Sequence, residues 1–199
     1  MATNPLTAVA ISGSPSRGSR SRLLLTHAVR ELEAEGVATS LVDLAELPAD
    51  ALLGRRADPA LDAAFARVSA ARIVVASTPV YRATYSGLLK TFFDLLPQDA
   101  LAGKLAIPIA TGGGPAHLLA IDHGLRPLFA SLGATTVAIG TYATDTQFSA
   151  GAPEAGLLAR LSQAVAEAVA LARAGRSAGE ATDRATAGST NHAHATAGA

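Results

Sequence analysis

Apolar runs of strand length alternate with segments whose apolar residues recur at helical spacing along most of this chain, the pattern of a parallel α/β sheet. The pattern predicts strands over 8–12, 39–43, 73–77, 105–110 and 135–141, and helices over 21–35, 59–70, 86–95, 115–132 and 154–174. Ile73-Val74-Val75-Ala76 is apolar without interruption, as a strand covered on both faces must be. Helix 115–132 carries Pro127 in its interior. Proline has no N–H, so the carbonyl of His123 loses its helical partner, and a π-bulge or similar distortion is expected around His123–Pro127, loosened further by Gly124.

Five strands with helices on both faces predict a flavodoxin-like, doubly wound five-stranded parallel sheet of order 2-1-3-4-5. Ligands of such sheets bind beyond the carboxyl ends of the strands, at the switch point beside strands one and three. The loops after strands one, three and four are therefore expected to converge. Residues 1–174 read as one domain. From 175 to 199 the chain turns to Ala, Gly, Ser and Thr with almost no large apolar side chain, which predicts a disordered tail. His192 and His194 fall in it and read as solvated rather than metal-binding, since no third ligand is nearby.

After strand one the chain reads Gly13-Ser14-Pro15-Ser16-Arg17-Gly18-Ser19-Arg20-Ser21 and turns helical. Backbone N–H groups at a helix start lack intrahelical partners and sit at the positive end of the helix dipole. Serine hydroxyls and arginines add donors for a phosphate. Neither G-x-G-x-x-G nor a G-K-[ST] ending is present, so the dinucleotide and P-loop fingerprints are missing and a single phosphomonoester such as that of FMN fits better. An ordinary Gly-Pro turn would look the same. After strand three, Thr78-Pro79-Val80-Tyr81-Arg82-Ala83-Thr84-Tyr85 holds two of the three tyrosines beside a stiffening proline. Such a wall suits a flat isoalloxazine ring, or else packs over the end of the sheet; Ser86 or Thr84 is placed to cap the next helix. After strand four, Thr111-Gly112-Gly113-Gly114 lets backbone approach a ligand closely, and His117 follows at the start of the next helix.

Composition narrows the chemistry. Sixteen basic and sixteen acidic residues among 199 leave no formal net charge, which argues against a nucleic-acid or anionic-membrane partner. The chain has no cysteine, so thiol chemistry and iron–sulfur clusters are excluded and any redox chemistry belongs to a bound cofactor. No signal-peptide pattern and no membrane-length apolar run is read, which predicts a cytoplasmic protein. No metal site is assigned.

Taken together, Gly13-Ser14-Pro15, Ser19-Arg20-Ser21, Thr78-Pro79-Val80-Tyr81, Tyr85-Ser86-Gly87-Leu88-Leu89-Lys90, Asp94-Leu95-Leu96-Pro97, Ala110-Thr111-Gly112-Gly113 and Ala116-His117-Leu118-Leu119-Ala120 resemble the NAD(P)H-dependent FMN reductases of two-component alkanesulfonate and methanesulfonate monooxygenase systems. The resemblance runs from about Val9 to Gln147. It implies a homotetramer that reduces FMN with NADH or NADPH and supplies reduced flavin to a partner sulfonate monooxygenase. It implies that Ser14, Ser19, Arg20 and Ser21 take the FMN phosphate, that Pro79, Val80 and Tyr81 lie along the flavin, and that Thr111, Gly112, Gly113 and Gly114 sit by its ring and ribityl edge, with His117 near the pocket. No catalytic side chain is assigned, because hydride transfer to a flavin needs alignment rather than a protein acid or base. In the alkanesulfonate branch a tyrosine commonly stands at the position of His123, as an insertion producing a π-helix at the tetramer interface; histidine looks more like the methanesulfonate branch. His123 is therefore a candidate modulator of flavin release or of subunit contact. The alternatives are an enzyme that retains FMN and reduces quinones, azo dyes or chromate, and a flavodoxin-like electron carrier, whose acidic docking face has no counterpart in this evenly charged chain.

Overall fold

A computed structural model describes residues 5–193, with side chains through Gly175. In chain order the elements are β1 (Thr7–Ser12), α1 (Arg20–Ala34), β2 (Ala38–Asp43), α2 (Ala49–Leu52), α3 (Pro59–Ala70), β3 (Ile73–Tyr81), β4 (Thr84–Tyr85), α4 (Gly87–Asp94), β5 (Leu105–Gly112), α5 (Arg126–Ser131), β6 (Thr135–Thr136), β7 (Thr141–Thr144), β8 (Phe148–Ser149), β9 (Ala152–Pro153) and α6 (Ala155–Ala193). The main sheet runs β2-β1-β3-β5-β6 in parallel, with β7 also paired to β5. This is the flavodoxin-like order expected, 2-1-3-4-5, once β6 and β7 are counted as one interrupted fifth strand. Alternate strand residues serve opposite faces. Val9, Ile11, Val74 and Ala76 join the core under α3, α4 and α5, and Ala8, Ala10, Ile73 and Val75 join the core under α1 and α6.

Four predicted elements differ from the observed ones. Strand three continues past Ser77 to Tyr81 and folds back as the antiparallel β4, pairing Val80 with Tyr85 and Tyr81 with Thr84. The predicted loop is thus a hairpin with a two-residue tip, Arg82 and Ala83, at φ 51° and 74°, the turn class whose twist matches paired strands. Thr78 Oγ1 holds it closed by accepting from Ser86 N–H at 2.9 Å.

The fifth strand is interrupted over 137–140 because β5 contains Pro108. Leu105 N–H points toward β3, donating to Arg72 O at 3.0 Å, whereas Ala106 faces the other side, its carbonyl accepting from Val137 N–H at 3.0 Å. Alternation puts Pro108 on the side of Ala106, where it offers no donor. The released backbone is satisfied by side chains: Glu167 accepts from Ala138 N–H at 2.8 Å, Arg126 donates to Val137 O and Ala138 O at 2.7 and 2.6 Å, and Arg160 donates to Gly140 O at 3.0 Å.

The helix expected over 115–132 is three short pieces: a 3₁₀ turn at Pro115–Ala120, a π-helix at Ile121–Leu125, and α5. The π-helix lies where Pro127 predicted distortion, and Arg126 N–H donates to Ile121 O, five residues back. Arg126 also ties this segment to the strand break through its guanidinium.

The last helix extends to Ala193 rather than ending at 174. Its buried stripe runs from Leu157 to Ala172. By length and composition alone Ala155–Gly175 could cross a membrane, which the sequence reading did not anticipate, but that stripe is packed on the sheet with Leu24, Leu25 and Ala28. Side chains of the predicted tail from 176 on, including His192, and all of His194 lie outside the described residues.

Gly13 ends β1 where the neighbouring strand and helix press closest. Its N–H donates to Ser77 O at 2.8 Å, and a Cβ there would stand 2.8 Å from Leu89 Cβ and 3.1 Å from Ser77 O. Gly13→Ala is expected to destabilise by about 1–3 kcal/mol in urea unfolding. Gly156→Ala, where a Cβ meets nothing within 4 Å, is expected to cost nothing or to stabilise by up to ~1 kcal/mol.

Candidate functional site

The carboxyl ends of β1, β3 and β5 open on one cleft of about 870 Å³, within the range of pockets that enclose ligands of a few hundred daltons. One end is the start of α1. Ser19 is the N-cap, its Oγ accepting from Arg22 N–H at 3.2 Å. The following N–H groups, Arg20 and Ser21, have no partner within the helix and stand at its positive end. Gly18, Ser19 and Arg20 line the cleft there, together with Arg17 and Arg22. The other end is walled by Pro79, Val80 and Tyr81 of the hairpin and by Thr111, Gly112 and Gly113 of β5 and its exit.

The hairpin is fixed by Ser86, the N-cap of α4, whose Oγ accepts from Leu89 N–H at 3.1 Å and donates to Gly13 O at 2.5 Å. The β5 exit is fixed by Tyr142, whose hydroxyl donates to Gly114 O at 2.7 Å. Burial, and secondarily the charge of Asp145, hold the Tyr142 phenol above its ordinary pKa, so it stays protonated and keeps donating. The third wall comes from the segment after β7. Thr144 and Gln147 form a reciprocal cap around the 3₁₀ turn Asp145–Gln147, and Gln147 ties the segment to Glu154 at 2.8 Å. This presents Asp145, Phe148 and Gly151 to the cleft. Arg20 spans the opening, ion-paired to Asp145 at 2.7 Å and lying 5.5 Å over the Phe148 ring.

Ser19, Arg20, Pro79, Val80, Tyr81, Thr111, Gly112 and Gly113 are thus brought to one cleft. Four candidates stand elsewhere. Ser14 is buried and bonds to Ser16, its Oγ accepting from Ser16 N–H at 3.2 Å. Ser21 is buried against Ser19, the two Oγ atoms 3.2 Å apart. Both support the turn from within. Gly114 holds Tyr142 rather than lining the cavity. His117 lies with His123 in a separate hollow of about 330 Å³ between the β3–β4 tip and the π-helix. It sits there because the 3₁₀ turn after Gly114 leaves helical geometry at His117 itself, at φ −113° and ψ 18°. Sequence reasoning missed Asp145, Phe148 and Gly151, which are distant in sequence and carry no motif; the end of the fifth strand was the one available signal.

The donors fit a phosphorylated, flat ligand such as FMN. A helix start and arginines offer donors for a phosphate at one end. At the other, a proline–tyrosine wall faces backbone with open space beside it, since a Cβ on Gly113 would meet nothing within 4 Å.

Comparison with known proteins agrees. The family profile described as NADPH-dependent FMN reductase matches residues 6–149. The chain is 41% identical over 158 residues to an FMN reductase (NADPH) of Pseudomonas putida KT2440, covering 78% of this chain and 80% of that one. It is 38% identical over 151 residues to the NADH-dependent FMN reductase SfnF of Pseudomonas fluorescens, covering 74% and 81%. Among solved structures, the NADH:FMN oxidoreductase EmoB in its apo form superposes with a TM-score of 0.75 at 40% identity, covering 80% of this chain and 86% of that one.

Gly112 and Tyr142 give a direct check on the geometry at the β5 exit. A Cβ on Gly112 would lie 2.2 Å from the Tyr142 hydroxyl but 3.2 Å from its ring carbon. In urea unfolding Gly112→Ala is expected to cost about 1–3 kcal/mol by overpacking, and Tyr142→Phe about 1 kcal/mol for the lost hydrogen bond. The double variant is expected to cost less than the two together, because removing the hydroxyl makes room for the methyl. With profile, relatives and cleft in accord, the chain belongs to the NADPH-dependent FMN reductase family and is an oxidoreductase of flavodoxin-like fold.

Proposed function

We propose that this protein reduces FMN with NADH or NADPH and releases the reduced flavin to a partner sulfonate monooxygenase. The observation that carries the reading is the single cleft that joins the start of α1 and Arg20 at one end to the Pro79–Tyr81 and Thr111–Gly113 walls at the other. When bound, FMN supplies the hydride-accepting chemistry, so the chain's task is binding and alignment. The Ser19 turn and Arg20 anchor the phosphate; Ser14 and Ser21 shape that turn from beneath. Pro79, Val80 and Tyr81 back the ring, and the Gly112–Gly113 backbone meets its edge. Tyr81 is half exposed, which leaves room for a nicotinamide to approach.

The partner is proposed on the family membership and on the resemblance described above. A cytoplasmic homotetramer is proposed with them. Leu118 and Leu119, both exposed, lie on the turn leading into the π-helix and suit a subunit contact. Residues 1–174 are proposed as the reductase domain and 175–199 as an appended tail.

Oxidation of NADH and NADPH with added FMN tests the activity. Saturation with free FMN as a substrate is expected, whereas tightly retained FMN with quinone turnover would favour the alternative enzyme. Arg20→Gln is expected to raise the KM for FMN about tenfold with kcat little changed, the loss of one charge-assisted phosphate contact; an unchanged KM would remove Arg20 from the phosphate site. His123→Ala, at the hollow beside the π-helix, is expected to alter oligomer stability and flavin retention more than the hydride-transfer rate. Sedimentation and stopped-flow reduction read the two separately, and a tetramer and FMN affinity both unchanged would contradict that role.

A further inference from the structure

Arg17, Arg20 and Arg22 all face the cleft, and each is ion-paired to a carboxylate. The three pairs differ in kind. Arg22 pairs with Asp43, whose side chain is only 8% exposed and also accepts from Ala45 N–H at 3.3 Å, so that carboxylate is committed to the exit from β2. Arg17 pairs with Glu46 out in solvent, its own side chain 78% exposed, and Glu46 does not line the cleft. Arg20 pairs with Asp145 across the cleft mouth, the two side chains 48% and 49% exposed. Asp145 is the acidic residue among the described cleft-lining residues.

We infer that Asp145 sets the affinity of the phosphate end by competing with the ligand for Arg20. The inference rests on the FMN reading given above. A half-exposed ion pair is weak enough to exchange, and a phosphate dianion is the stronger partner for a guanidinium. Exchange leaves the Asp145 carboxylate facing the bound dianion with its cation withdrawn. Asp145 therefore opposes phosphate binding twice, once by holding Arg20 and again by like-charge repulsion. Phe148 keeps the guanidinium at the mouth throughout, since its ring attracts the cation whichever anion the cation holds. The consequence is a flavin held less tightly than the donors alone would hold it, as suits a ligand that must leave after each turnover. Riboflavin presents the same ring without the phosphate, so Asp145 should not discriminate against it.

Titration of FMN and of riboflavin by flavin fluorescence with the full-length protein tests this. Asp145→Asn is expected to tighten FMN about three- to fivefold, the size of one exposed ion pair, and to leave riboflavin unchanged. The gain should shrink at high salt and shrink also in an Arg20→Gln background, where only the like-charge repulsion remains to be relieved. An FMN affinity that is unchanged or weaker in Asp145→Asn, or an equal shift for riboflavin, overturns the role of Asp145 while leaving the FMN reading intact. Wild-type protein that binds neither flavin overturns both.

Discussion

The hydrogen-bonded junction of Gly13, Ser77 and Ser86 is the constraint on which the site depends. Gly13 N–H donates to Ser77 O, the Ser86 hydroxyl donates to Gly13 O, and the same Ser86 oxygen caps α4 by accepting from Leu89 N–H. Three bonds tie the exit of β1, the exit of β3 and the start of α4 into one knot at the switch point of the sheet. Only glycine lets the strand pass so close to Leu89. With that junction fixed, the turn ending in Ser19 and the hairpin ending in Tyr81 must open on the same side. The parallel pairing of β3 with β5, through Pro79 opposite Thr111, then delivers the glycine run to the same place.

Much of this was legible in the sequence because its causes are local. The uninterrupted apolar run of β3 announced a strand buried on both faces, and the Gly-Ser-Pro turn announced the loop that leads to the helix start at the cleft. Pro127 announced the π-helix, because a missing N–H leaves its mark whatever surrounds it. The rest depended on partners far along the chain. The continuation of β3 to Tyr81 depends on Thr78 reaching Ser86. The interruption of the fifth strand depends on Pro108, in a different strand, and on Arg126, Arg160 and Glu167 arriving to satisfy the released backbone. Asp145 and Phe148 reach the cleft only because β7 pairs with the end of β5, and no short motif encodes that. Ser14 and Ser21, with side chains aimed inward, and Gly114, through its carbonyl, show the complementary lesson: residues of a binding motif also build the turn.

On the proposed reading, the charge pattern of the cleft explains how one pocket would bind a phosphate and still let it go. A helix start and three arginines would make a strongly attractive anion site, yet each arginine carries a carboxylate partner and the chain as a whole is neutral. The attraction is thereby moderated where the ligand meets it, and the permanent pair, Arg22 with Asp43, is separated from the exchangeable one, Arg20 with Asp145. On the same reading, the walls around Pro79 and Gly113 would supply ring affinity that charge does not alter.

A crystal structure of the protein with FMN tests the central claim most directly. The account predicts the phosphate at the amides following Ser19 with the Arg20 guanidinium turned toward it, and the ring between Pro79–Tyr81 and Gly112–Gly113. A phosphate found away from the start of α1, or a ring seated in the hollow beside His117 and His123, would contradict it.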